Sequence, residues 1–108
     1  MGEKRKFDKL EKYKTGTGVD NIELDESGNL WIGAHPNLLR FASYAAGKIP
    51  TAPSEVIQIQ YSPEKSTLKS VYTDPGTTIS GTSVALPWGD FLFIGNVMDS
   101  KVLVLKRN

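Results

Sequence analysis

The sequence predicts an all-β protein of the β-propeller kind, with about two blades of antiparallel strands in its 108 residues. Three observations carry this. Short apolar runs alternate with Gly, Pro, Asn and Asp, the punctuation of strands and tight turns. An internal repeat is present: Leu24, Leu30, Trp31, Ile32 and Gly33 recur as Leu86, Leu92, Phe93, Ile94 and Gly95, each 62 positions on. The same shift pairs Asn21 with Ser83 and His35 with Val97. Finally, the composition is that of an ordinary globular core, 39% apolar and 23% charged.

The candidate strands, in order, are Asp20–Leu24, Leu30–Gly33, Leu38–Tyr44, Glu55–Tyr61, Leu68–Thr73, Ser83–Leu86, Asp90–Gly95 and Lys101–Lys106. Asp25–Asn29 reads as a hairpin turn, as does Pro87-Trp88-Gly89. Ile57, Ile59 and Tyr61 alternate with Gln58 and Gln60, the period of a half-buried strand. Val102–Leu105 is apolar throughout, which suits a strand covered on both faces. Gly47, Pro50 and Pro53 make 45–54 a loop, and 62–66 and 74–82 are further connections.

Residues 1–15 form an outer strand or a frayed terminus, 16–61 a first blade, and 62–108 a second, incomplete blade. Phe7, Leu10 and Tyr13 recur every three residues, which leaves the terminal segment between a helix stripe and a strand, with the strand preferred. A small sheet cannot bury both of its faces alone, and arrays of this kind need about three repeats. The chain therefore reads as part of a longer propeller, or as a unit that self-associates to cover its edges.

Net charge is +1, which gives no broad field for nucleic acid. Positive charge gathers at the start: six Lys or Arg against three acids in the first fourteen residues, or +3 locally. A solvated edge accounts for it more simply than a membrane patch. The Met-Gly start has Lys6 where a myristoylation signal needs Ser or Thr. The apolar core of a signal peptide is not visible in residues 1–14, and no apolar run reaches membrane-spanning length. The absence of Cys excludes disulfides and thiolate chemistry.

Few residues can carry chemistry. Asp20 and Asn21 offer two adjacent hard oxygens at a strand mouth, of the type calcium takes in sixes to eights. Turn chemistry explains an Asp-Asn pair more simply, and EF-hand spacing is absent. His35 is the single histidine, ending a strand ahead of Pro36. It is either a cavity-lining group for proton transfer or a loop imidazole bonded to backbone. One histidine allows no Ser-His-Asp argument and makes zinc a poor candidate. Trp31, Phe93 and Trp88 read as packing residues, and Gly81 and Gly95 as points of close backbone approach rather than phosphate cradles.

Val19-Asp20-Asn21-Ile22, Gly28-Asn29-Leu30-Trp31-Ile32-Gly33 and His35-Pro36-Asn37, followed by Pro53-Ser54-Glu55-Val56, Gly81-Thr82-Ser83-Val84-Ala85 and Ile94-Gly95-Asn96-Val97, resemble the C-terminal portion of the paraoxonase/arylesterase family. The resemblance implies about two blades of a six-bladed propeller with structural and catalytic calcium ions in a central tunnel. It implies that Asp20 and Asn21 are calcium ligands, that His35 is a pocket-wall or proton-shuttle residue, and that Ser83 and Val97 line the substrate pocket. The implied reaction is hydrolysis of small-molecule esters or lactones, with calcium polarising the carbonyl and stabilising the oxyanion. Association with a membrane or lipoprotein surface, and an extracellular or membrane-associated setting, come with the family. The other calcium ligands, the family's disulfide and its catalytic histidine pair have no counterpart here, and Ala42 stands where a large aromatic wall residue is common. The isolated chain is therefore expected to be inactive. The rival readings are a non-catalytic propeller scaffold and a gluconolactonase-type lactonase.

Overall fold

The computed structural model describes residues 7, 8, 10, 12–98 and 100–107. Its elements, in chain order, are β1 (Gly18–Leu24), β2 (Leu30–His35), α1 (Leu38–Ala45), β3 (Ser54–Gln60), β4 (Thr67–Asp74), β5 (Thr82–Trp88), β6 (Phe91–Asn96) and β7 (Leu103–Lys106). All strand pairing is antiparallel. The strands form a four-stranded sheet, β1-β2-β3-β4, and a three-stranded sheet, β5-β6-β7. β5 packs against β1 and β2 of the first sheet. Two such neighbouring sheets are consistent with propeller blades, and they do not by themselves close a ring.

The first hairpin turns where the sequence says. Asp25 N donates to Asn29 O at 2.9 Å, and Gly28, at φ 84°, supplies the left-handed residue. The Asp25 carboxylate takes the backbone N–H groups of Ser27 and Asn29, the Asn29 amide and the Trp31 indole N–H, all between 2.9 and 3.2 Å. Partial burial alone would raise its pKa, but these bonds hold it below the usual carboxylate value.

Alternation along the strands sets the faces. Trp31, Val56, Ile79, Ala85 and Ile94 form the core, with Tyr72, Leu92, Leu103 and Leu105 packed against it. Ile32, Ile57 and Ile59 form a second cluster with Leu30, at the opposite parity along β2 and β3. The first sheet is thus apolar on both faces. Gln58, read as outward-facing, is buried, opposite Trp31.

Several expectations need correction. Leu38–Tyr44 lies within helix α1 and is not a strand. The first sheet runs through β4 to Asp74, so the division between sheets falls after 74 and not at 61. β5 continues through Trp88, and the second turn is Gly89-Asp90 alone. Leu86 therefore pairs with Phe93 rather than Leu92, and the repeat slips by one residue in space. Trp88 is not a packing residue: it is 69% exposed. β7 alternates between half-buried and exposed residues, with Val104 on the open side, so it is not covered on both faces. Of the expected terminal strand, Phe7, Asp8, Leu10 and 12–15 lie in no strand, and the remainder falls outside the described residues. The Tyr13 hydroxyl donates to Ser66 Oγ at 2.7 Å, tying that segment to the β3–β4 connection.

The β4–β5 connection folds around Asp74. Its carboxylate accepts from Gly76 N at 2.7 Å, Thr78 N at 3.3 Å and the Tyr72 hydroxyl at 2.8 Å. Burial works to raise the Asp74 pKa, but the hydrogen bonds outweigh it and keep the carboxyl below its ordinary value. Burial, reinforced by the bond to Asp74, pushes Tyr72 up to about 12.

Linkage converts these shifts into a stability profile. The depressed carboxyls of Asp25 and Asp74 stabilise the fold above their unfolded pKa, and that contribution is lost as pH falls through their folded values. The raised Tyr72 stabilises below its ordinary value of 10.0, and its contribution is lost as pH rises toward about 12. Thermal unfolding followed by circular dichroism should therefore give a Tm that is level near neutrality and falls on both sides. Asp74→Asn should flatten both limbs, the acid one because the depressed carboxyl is gone and the alkaline one because part of what raises Tyr72 goes with it.

A second expectation concerns two glycines that the repeat makes equivalent. A Cβ on Gly33 would sit 2.5 Å from Val84 N and 2.7 Å from Ser83 O, which are backbone atoms that cannot move aside. On Gly95 it would meet only Val84 Cγ1, at 3.0 Å. Gly33→Ala should cost at least the roughly 1–3 kcal/mol of core overpacking, and Gly95→Ala distinctly less, by urea unfolding. Equal costs would mean that the two positions are not distinguished by backbone approach.

Candidate functional site

β1 carries an irregularity. Val19 pairs with Ala34 and Ile22 with Ile32, which leaves Asp20 and Asn21 together opposite Gly33. This is a β-bulge, two residues against one, a device that re-aims side chains. β5 shows the same feature. Thr82 pairs with Asn96 and Val84 with Gly95, which skips Ser83. Gly33 joins the two irregularities, because the Ser83 backbone lies directly over it. The sequence repeat that matched Asn21 with Ser83 thus marks two strand irregularities that face each other across a glycine.

His35, the last residue of β2, pairs with Gly18 at the mouth of β1. Its side chain is buried, at 4% exposure. Nε2 lies 3.3 Å from Asp20 Oδ2. A carboxylate only accepts, so the proton of that bond resides on Nε2. Nδ1 is buried with no partner among the described residues. His35 is therefore not the backbone-bonded loop imidazole that its neighbours would allow.

Helix α1 builds the other wall. Asn37 caps it, its side chain accepting from Arg40 N at 3.1 Å. Gly47, at φ 76°, ends it: Gly47 N donates to Tyr44 O and Lys48 N to Ser43 O, a Schellman closure. Phe41, one turn in from the cap, stacks on His35 with ring centroids 3.8 Å apart and planes 23° from parallel. Leu38 overlies Gly18, where a Cβ would meet Leu38 Cγ at 2.9 Å. Phe41 and Tyr44 crowd Gly81, ahead of β5. The space at Gly81 is therefore filled by aromatic rings, not by the backbone approach expected from sequence. At Gly95 the nearest neighbour is likewise a side chain.

The structure brings together Asp20, Asn21 and His35 of the first sheet and Ser83 of the second. Asp20 and Asn21 are exposed and Ser83 is half-buried. Val97 follows Asn96, the residue paired with Thr82, and is 54% exposed. It stands at the same end of the sheets. Among the described residues no group of three or more His, Cys, Asp or Glu forms a metal cluster. Sequence reasoning missed Phe41 and Asn37. The Asn37-x-x-Arg40 cap ahead of a Leu/Ala-rich stretch was the available signal.

A cavity of about 530 Å³ lies at the other end, between the two hairpin turns, lined by Asp25, Glu26, Trp88, Phe91 and Arg107 among others. It is remote from Asp20 and His35 and contains none of the candidate site residues.

Comparison with known proteins gives one answer. The arylesterase family model matches residues 2–104. The chain is 38% identical over 90 residues to human serum paraoxonase/arylesterase 1, covering 82% of this chain and 25% of that protein. It is 42% identical over 83 residues to mouse serum paraoxonase/arylesterase 1, covering 75% of this chain and 23% of that protein. Human serum paraoxonase/lactonase 3 is 36% identical over 90 residues, 82% of this chain and 25% of its own length. The chain spans about a quarter of the length of these relatives. With a family match running almost from end to end, and relatives more than one-third identical over most of its length, the chain belongs to the arylesterase family.

Proposed function

We propose that this chain is the C-terminal part of a calcium-dependent ester and lactone hydrolase. Family membership supports hydrolysis of carboxylic esters or lactones. The observation that carries the finer reading is the β1 bulge, which sets Asp20 and Asn21 side by side at the strand mouth with a buried imidazole against Asp20.

The donor set fits calcium in kind. Asp20 supplies a charged carboxylate and Asn21 a neutral amide oxygen, both hard ligands on solvent-accessible side chains. It falls short in number, since calcium takes six to eight oxygens, so the remaining ligands belong to segments beyond this chain. An ion held there supplies Lewis-acid polarisation of the substrate carbonyl and charge to stabilise the oxyanion. The chain's own residues do the rest. His35, pinned by Asp20 and Phe41, forms one wall and keeps Nδ1 as a proton-accepting position. Ser83 contributes a hydroxyl across Gly33, and Val97 an apolar surface for the acyl or aryl part of the substrate.

Calcium titration of the gene product that carries this chain tests the assignment. Asp20→Ala should weaken calcium binding by more than the roughly 10–100-fold that loss of an outer-sphere partner costs, and turnover of phenyl acetate should fall in parallel. Unaltered affinity and turnover would remove both the metal role and the hydrolase mechanism built on it. The 108-residue chain alone is expected to bind calcium weakly and to hydrolyse phenyl acetate far more slowly than the complete protein.

A further inference from the structure

We infer that Phe41 is a positioning residue for His35, a face-on shelf that fixes the plane of the imidazole in the pocket wall. The inference rests on the reading of His35 as a member of that wall, and it begins from a deficit in how the ring is held. The imidazole is almost wholly buried, yet it has one hydrogen-bond partner, Asp20, at the long distance of 3.3 Å. Nδ1 has none among the described residues. A single long bond at one edge leaves the ring free to swing about it. Something must hold its faces.

Phe41 does so on one side, near-parallel and 3.8 Å away. The phenyl ring is itself confined. Asn37 caps the helix one turn before it, and the Schellman closure at Gly47 ends the helix one turn after it. The far edge of the ring abuts Gly81, where an added Cβ would lie 3.2 Å from Phe41 Cε1 and 3.1 Å from Tyr44 Cε2. Gly81 is buried at φ 64°, a conformation and a space that favour glycine. Phe41 is thus wedged between the end of β2 and the start of β5. The wedge holds the plane in which the imidazole reaches Asp20. A group that moves a proton has to be held in this way, since a misplacement of about 1 Å can cost on the order of a hundredfold in rate.

Because His35 is the only histidine, its ring signals in a proton–nitrogen spectrum of the 108-residue chain are unambiguous. The expected wild-type result is imidazole carbon-bound protons displaced upfield by the stacked ring. Phe41→Leu should return the protons toward free-imidazole positions, while Phe41→Tyr should keep the displacement. Wild-type signals already at free-imidazole positions would overturn the proposal, whatever the variants do. So would an undisplaced spectrum in Phe41→Tyr, or a Phe41→Leu spectrum identical to wild type in a chain whose amide dispersion is intact. In the gene product that carries this chain, Phe41→Leu should lower kcat for phenyl acetate on the order of tenfold to a hundredfold with little change in KM. An unchanged kcat with a freed ring would leave Phe41 a packing residue only and overturn its positioning role. His35→Gln separates the two readings: undiminished turnover in that variant removes His35 from the reaction, while the shelf itself is judged on the spectrum.

Discussion

The close approach of β5 to Gly33 is the constraint from which the rest of the arrangement follows. With no side chain at that position, the Ser83–Val84 backbone comes down onto β2 at a distance a Cβ would forbid. The contact falls beside the irregular pairs of both β1 and β5. A bulge disturbs a ladder and raises local twist. Here each disturbance stands at the seam between the sheets, and the glycine provides the room that both require. Asp20, Asn21 and Ser83 are neighbours because of it, although 62 residues separate Asn21 from Ser83.

The two ends of the sheets are treated differently. At the hairpin end, the Asp25 carboxylate receives four hydrogen bonds, and Trp31 gains Arg107 over its ring at 5.8 Å. That end serves stability, locking a turn onto the core through a buried indole. At the opposite end the buried polar atoms of the described residues that lack partners gather: Thr17 Oγ1, His35 Nδ1 and Thr82 Oγ1. Buried polar groups are nearly always satisfied, so the two ends differ in how fully their buried polar atoms are paired. Helix α1 lies across this end, tying Gly18, His35 and Gly81 together through Leu38, Phe41 and Tyr44.

Much of the fold was legible because strand periodicity reports burial locally. Ile32, Ile57 and Ile59 declared one face, and Asp25–Asn29 declared its turn through residues whose own side chains close it. Helix α1 is not legible in the same way, because an apolar run among strands looks like another strand, while its cap and its Gly47 stop lie outside the run. The place of Trp88 is not legible either, because two-residue and longer turns share the same residue types, and a one-residue slip sends a side chain to the other face.

The sequence by itself determined the first hairpin and the family, since each depends on residue type and short-range spacing. The tertiary structure alone decided that Asp20 and Asn21 share a bulge, that Ser83 meets them across Gly33, and that Phe41 closes on His35. Those are contacts between sheets or between a helix and a strand end. Their partners are set by how backbones approach in space, which no local pattern of apolar and polar residues records.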